Sequence, residues 1–189
     1  MENIEIERKF IVDYVNNRSY YDEFVIPRLR KQTSRRIVRH YIKANNKTVM
    51  RLRKTTYQNN EDEYFLTVKF NIPSSEHQTC YEVENKISKG MYESLIHTDE
   101  PGFIISTISK TRYYFGNDPI FEANDYVGIE SDNHVFEIDV FDDSKHGPLI
   151  LIEVEFQNGD DVVIPDYLKN LPGFREVTND PQYFNCNLI

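Results

Sequence analysis

The sequence predicts an α+β protein built on an antiparallel β-barrel of about eight strands, with a polar interior and helices packed outside. Three observations carry that expectation. Seven segments alternate charged and apolar side chains with a period of two, clusters of turn formers separate them, and 13 Tyr with 12 Phe supply the aromatic content of strands. No domain boundary, low-complexity tract or long-period repeat interrupts the chain, so residues 1–189 are expected to form a single domain.

The first strand is IEIERKF, residues 4–10. Successive side chains of a strand point to opposite faces, which puts Glu5, Glu7 and Lys9 on one side and Ile4, Ile6 and Phe10 on the other. Two carboxylates and an ammonium on one surface suit a hard divalent cation, which takes oxygen ligands, beside the anionic group that such a cation carries. DYVNNRSYYDEF reads as turn formers followed by a short helix. The basic run that follows, with Arg28, Arg30, Lys31, Arg35, Arg36 and Arg39, is expected to be a solvated loop leading into a strand, because the chain as a whole is acidic.

HYIKA and TVMRLRK form a hairpin about Asn45-Asn46, a pair that tolerates the left-handed backbone of tight turns. Its second strand sets Arg51 and Arg53 opposite Met50 and Leu52. YFLTVKF sets Lys69 against Leu66, Val68 and Phe70, and CYEVENKI sets Glu82 and Glu84 against Tyr81 and Val83. Ser88 is placed to cap KGMYESLIH, a covering helix whose apolar face is expected at Met91, Leu95 and Ile96. FIISTISKTRYYF carries Lys110 and Arg112 on one parity, and residues 117–133 are rich enough in turn formers for a further hairpin. HVFEIDVF gives Glu137 and Asp139, and LILIEVEF gives Glu153 and Glu155, each pair opposite apolar neighbours. A short helical segment interrupted by prolines in GDDVVIPDYLKNLPGF and an irregular or helical close at REVTNDPQYFNCNLI complete the chain.

A single strand of this kind is what any antiparallel sheet with one wet face shows. Taken together, the charged faces present paired acids and bases where a solvated face mixes in Ser, Thr and Gln. Closing the sheet with that face inward makes a polar channel. Its charges are tolerable there only if paired, hydrated or neutralised by ligands.

Composition narrows the function. A net charge of −9 and a pI near 5.1 argue against a general binder of nucleic acid or of anionic membranes, both of which need a positive field. Cys80 and Cys186 have neither zinc-site nor redox spacing and are expected to be reduced structural thiols. The charged opening MENIEIERKF has no apolar leader, and no apolar run approaches the roughly 20 residues of a membrane span, so the expectation is a cytoplasmic protein with no membrane partner. His40, His77, His97, His134 and His146 are scattered and are expected at the surface.

Glu5-x-Glu7-x-Lys9, Arg51-x-Arg53, Lys69, Glu82-x-Glu84, Lys110-x-Arg112, Glu137-x-Asp139 and Glu153-x-Glu155, in that order, resemble the pattern of the CYTH superfamily, the triphosphate tunnel metalloenzymes. The resemblance spans essentially the whole chain, including the closing EVTNDPQY, where Gln182 stands at a position that family members often fill with a base. It implies an eight-stranded tunnel that binds a triphosphate-containing small molecule and hydrolyses it with Mg²⁺ or Mn²⁺. Lys9, Arg51, Arg53, Lys69, Lys110 and Arg112 would then bind phosphate, while Glu5, Glu7, Asp139, Glu153 and Glu155 would hold metal. Glu82, Glu84 and Glu137 would support them, and Glu5, Glu7 and Lys9 would carry the chemistry. The leading substrate is inorganic tripolyphosphate. Nucleoside or thiamine triphosphate hydrolysis, class IV adenylate cyclase chemistry, a non-catalytic polyphosphate sensor and a purely structural sheet are the alternatives.

Overall fold

A computed structural model describes residues 4–29, 34–44, 47–72, 78–115, 135–142, 144, 148–156 and 162–188, apart from the side chains at 43, 44, 115 and 186. Eight strands run as β1 (Ile4–Ile11), β2 (Ser34–Ala44), β3 (Thr48–Tyr57), β4 (Asp62–Ile72), β5 (Gln78–Ile87), β6 (Ser106–Phe115), β7 (Phe136–Phe141) and β8 (Ile150–Phe156). They are ordered β5-β4-β3-β2-β6-β7-β8-β1, and β1 pairs again with β5 from Ile4 opposite Tyr81 to Glu7 opposite Gln78. Every pairing is antiparallel, so the sheet closes into the expected barrel.

β5 leaves the edge of β1 at Glu7, and β9 (Arg175–Glu176) takes over that edge opposite Phe10 and Ile11. Thr178 continues the seam, its Oγ1 accepting from the Lys9 backbone N–H at 3.1 Å while Val177 N–H donates to the Lys9 carbonyl at 2.8 Å. The closing EVT segment is thus part of the barrel wall.

Side-chain parity decides what the barrel encloses. The outward apolar residues of β1, β6, β7 and β8 form the largest core, including Phe10, Tyr113, Ile138, Ile152 and Val154. A helical stretch covers it, α-helical at α1 (Arg18–Tyr20), π-helical over Tyr21–Val25 and α-helical at α2 (Ile26–Leu29). Tyr21, Val25 and Leu29, four residues apart, make its buried stripe. α4 (Asp166–Lys169) adds Tyr167 and Leu168 to the same core. Gly173 has φ of +72°, and a Cβ there would lie 2.2 Å from the Asp13 Cβ, so the turn after α4 can seat against the end of β1 only with glycine.

The covering helix α3 (Lys89–Ile96) forms where expected, with the Ser88 Oγ accepting from Met91 N–H at 3.1 Å. Its anchor differs from the sequence reading: Tyr92 is buried between Tyr64 and His40, whereas Met91 is exposed. A one-position rotation of the buried stripe over so short a helix is enough to exchange them. The basic run is corrected too, because Arg35, Arg36 and Arg39 belong to β2 rather than to a loop. Asn45-Asn46, the proposed hairpin at 117–133, Arg30, Lys31, His77, His134 and His146 lie outside the described residues.

One end of the interior is apolar. Inward-facing Ile11, Tyr41, Ile108, Phe141 and Leu151 meet Leu149, Val177 and Leu188 in a second buried cluster. Fully burying a side chain of Leu or Ile size contributes about 1.5–3 kcal/mol, so this plug stabilises the barrel without help from charges. The polar interior occupies the remaining length.

Candidate active site inside the barrel

The inward charges sort by strand. β7, β8, β1 and β5 carry Glu137, Asp139, Glu153, Glu155, Glu5, Glu7, Glu82 and Glu84, whereas β3, β2 and β6 carry Arg53, Arg51, Arg39, Lys110 and Arg112. Lys9 on β1 and Lys69 on β4 are the bases set within or beside the acidic arc. Like charges face each other in register within both arcs: Glu7 opposite Glu155, Glu137 opposite Glu153, and Arg39 opposite Arg53. Such pairs destabilise a sheet unless counter-charge lies between them.

In the acidic arc most of that counter-charge is internal. Lys69 Nζ donates to both Glu5 oxygens at 2.7 and 2.6 Å and lies 2.6 Å from Glu82 Oε2. Lys9 Nζ bridges Glu7 at 3.1 Å and Glu153 at 3.2 Å. Burial works against charge on Lys9, but Glu7 and Glu153 outweigh it and hold the ammonium above the usual lysine range. Burial likewise opposes ionisation of Glu82, yet its hydrogen bond with Glu5 and the charges of Lys69 and Arg51 pull it down to about 2. Glu153 is disfavoured as an ion by burial and held well below the carboxylate range by Lys9, Lys110 and Arg112.

Glu155 stands apart. It reaches water and has no hydrogen bond or ion pair among the described residues. Partial burial of its carboxyl, then the neighbouring carboxylates of Glu5 and Glu137, push it up to about 8. A carboxyl kept protonated by other carboxylates marks a local shortage of positive charge.

In the basic arc the shortage is reversed. Arg53 donates from Nη2 to Glu84 Oε1 at 2.6 Å and stacks 4.4 Å over Phe65. Burial and then Arg39 pull its guanidinium below the usual range. Arg39 and Arg51 are buried, and among the described residues Arg39 Nε and Nη1 and Arg51 Nε have no hydrogen-bond partner. Burial opposes charge on Arg51, but Glu82, Glu5 and Glu84 lie near enough to hold its guanidinium above the usual range. Most buried side-chain donors in folded proteins are satisfied, so two guanidiniums with unmet donors in one wall are an anion-binding feature.

Both arcs line one cavity of about 680 Å³, within the roughly 300–1,000 Å³ of small-molecule sites. Of the predicted site residues, all line it except Lys110, Glu137 and Asp139. Lys110 and Asp139 are fully buried and paired with each other, and Arg112 takes both Asp139 oxygens at 2.7 Å. Lys110 and Asp139 thus stand behind the lining residues, joined to each other and to Arg112. Arg112 also bonds Glu137, and its Nη2 reaches Glu153 Oε2 at 2.5 Å.

Among the lining residues that sequence reading missed, four bear most on the chemistry. Arg39 shares the inward parity of Tyr41, a signal hidden by treating its run as a loop. Gln78, opposite Glu7, carries a buried amide oxygen with no partner. Asn185 donates to Glu153 Oε1 at 3.0 Å, and its own buried oxygen is also unpartnered. The Phe184 ring lies 5.9 Å from Lys9 Nζ. Nothing in the composition of the closing segment announces that it enters the barrel.

The donor set fits a hard divalent ion. Carboxylates of Glu5, Glu7 and Glu155, with the neutral oxygen of Gln78 near them, supply oxygen ligands at the place where positive charge is short. Ligand atoms of Glu5, Cys80 and Glu82 also lie within 4.8 Å of one another.

No protein-family model and no curated protein matches the chain. Among solved structures, the chain is similar to the putative adenylyl cyclase HpAC1 from Hippeastrum, said to reveal a dominant triphosphatase activity. The two are 14% identical with a TM-score of 0.48, and the match covers 82% of this chain and 80% of that one. Among the described residues no helix is long and apolar enough to cross a membrane.

Proposed function

We propose that this protein is a triphosphate tunnel metalloenzyme of CYTH type that hydrolyses a phosphoanhydride bond with Mg²⁺ or Mn²⁺, and that inorganic tripolyphosphate is its substrate, giving pyrophosphate and phosphate. The observation that carries the reading is one cavity that has, on one wall, buried donors of Arg39 and Arg51 with no partner among the described residues and, on the other, a cluster of carboxylates that includes the unpaired Glu155. A polyanion that brings a divalent ion satisfies both at once. A cavity built only to bind an anion has no use for the carboxylates of Glu5, Glu7 and Glu155.

In this reading Arg51, Arg53 and Arg112 grip successive phosphates, and Lys9, fixed between Glu7 and Glu153, points its ammonium at the phosphoryl group that is transferred. Glu5, Glu7 and Glu155 hold the ion, which when bound neutralises charge on the non-bridging oxygens. Glu7 takes the proton of an attacking water as the water oxygen bonds to the terminal phosphorus and the bridging P–O bond breaks, leaving pyrophosphate. Lys110 and Asp139 keep Arg112 rigid. The proposed setting is a single cytoplasmic domain, consistent with the free buried thiol of Cys80.

Phosphate release from tripolyphosphate, ATP and thiamine triphosphate, each with Mg²⁺, Mn²⁺ or chelator, tests the proposal. The expected result is metal-dependent release with tripolyphosphate preferred. Cyclic AMP and pyrophosphate from ATP would assign a cyclase, and release from no substrate would leave only a binding or structural role.

A further inference from the structure

We propose that Arg39, a residue outside the family-like charge pattern, holds one phosphate group of the substrate through guanidinium N–H groups that no described protein atom engages, and that this contact forms without a divalent ion. The inference rests on the oligophosphate reading of the cavity and extends it to the order in which the charges are satisfied.

Arg39 sits in the middle of β2, between Ile37 and Tyr41, opposite Arg53 on β3 and Ile108 on β6. It is 3% exposed, lines the cavity, and its Nε and Nη1 are buried with no acceptor. Leaving such donors unmet costs the folded state the desolvation of a charged group. The nearby carboxylates are engaged elsewhere: Asp139 by Lys110 and Arg112, and Glu153 by Lys9, Arg112 and Asn185. Arg39 also depresses the ionisation of Arg53 and Lys110, and Glu153, the carboxylate whose ionisation it favours, is already bonded to Lys9, Arg112 and Asn185. What fits is an external acceptor with two oxygens for the planar fork, and a phosphate group offers that geometry.

Metal independence follows from where the free charge lies. Lys9 and Lys69 are each committed to two carboxylates, whereas among the described residues neither Arg39 nor Arg51 makes a salt bridge to one. An oligophosphate entering alone meets two guanidiniums that gain partners and displaces nothing. A divalent ion is needed on the opposite arc, for chemistry.

Calorimetric titration of tripolyphosphate and of pyrophosphate into the full chain in excess EDTA tests this, with the parent, Arg39→Met, Arg39→Lys and, as an outer-face control, Arg36→Gln. The parent and Arg36→Gln should bind, and Arg39→Met should bind at least about tenfold more weakly, the scale of a lost charged hydrogen bond. Arg39→Lys should fall between them, because it keeps the charge and loses the fork. The ligand-free thermal midpoint of Arg39→Met should equal or exceed that of the parent, since an unmet charge has been removed. Parent-like affinity in Arg39→Met or, if that variant does not fold, in Arg39→Lys would overturn the role of Arg39. A lowered midpoint with unchanged affinity would make the residue structural. Binding by the parent only when metal is added would overturn the order of events while leaving the oligophosphate reading intact. No binding with or without metal would remove that reading and this inference together.

Discussion

The two arcs of the barrel wall use charge in opposite ways. On β7, β8, β1 and β5 nearly every carboxylate has a cation supplied by the protein, from Lys9, Lys69 or Arg112. On β2 and β3, Arg39 and Arg51 make no salt bridge among the described residues, and Arg51 has only the longer-range attraction of Glu82, Glu5 and Glu84. The acidic arc is therefore assembled before any ligand arrives, with Glu155 as its one unpaired member. The basic arc carries unmet demand. A structural ionic core would have spent its arginines on its own acids, since a buried charge left single costs several kcal/mol. That these two face a cavity without a salt bridge is the feature on which the proposed binding role rests.

Removing one charge from each arc should break the comparison in different ways. The largest expected effect is that of Glu7→Gln, which takes away the proposed proton acceptor: turnover should drop by about 10²–10⁴-fold, with substrate binding changed far less, read from kcat against a calorimetric Kd. Parent-like turnover in Glu7→Gln would remove the acidic arc from the chemistry. Arg51→Ala should do the reverse in kind, weakening tripolyphosphate binding by about ten- to a hundredfold, with Arg53→Ala smaller because Glu84 already shares that guanidinium.

The plug sharpens the contrast by being neutral to ligand. Leu151→Ala opens a cavity in a fully buried position, and should cost about 2–5 kcal/mol in denaturant unfolding while leaving the affinity of the folded fraction unchanged.

Two pH experiments separate a paired carboxyl from an unpaired one. Glu82 is held down to about 2 in the folded chain, below its ordinary 4.5. Its pairing therefore contributes stability above pH 4.5 that is lost as pH falls toward about 2. Over that window the parent should lose stability relative to Glu82→Gln. Glu155 is raised to about 8 from 4.5, so the sign reverses: its contribution is present below pH 4.5 and is lost as pH rises through about 8. Without metal, Glu155→Gln should therefore gain stability over the parent across that alkaline rise, by the smallest margin of the set because the carboxyl reaches water. Added Mg²⁺ or Mn²⁺ should raise the midpoint of the parent more than that of Glu155→Gln. Parallel pH curves for either variant and the parent would count against its assignment.

What the sequence made legible was whatever alternates with a period of two. Ile4–Ile11, Thr48–Tyr57, Phe136–Phe141 and Ile150–Phe156 put their charges on one face in the chain and in the barrel alike, apart from Arg8 and Lys54, which turn outward to Glu176 and Asp62. Parity says which side chains turn inward, but nothing about depth. Glu153 and Asp139 read identically, yet one lines the cavity and the other is sealed behind Arg112, a difference set by barrel shear and by partners on other strands. Arg39 was obscured because the density of bases around it suggested solvent, although Ile37 and Tyr41 on its own face are buried. The closing segment gave only the resemblance of EVTNDPQY, which says nothing of Phe184 or Asn185. Asn185 enters the site because β9 completes the seam beside β1 and directs the chain beneath the barrel, a consequence of pairing that no local pattern contains.

The most direct test of the account is the rate of phosphate release from tripolyphosphate by the parent protein, measured with Mg²⁺ or Mn²⁺ and again in excess chelator. The account predicts equal amounts of phosphate and pyrophosphate with metal and no release in chelator, with tripolyphosphate still bound there. Failure to bind or cleave tripolyphosphate, ATP or thiamine triphosphate under either condition would contradict it.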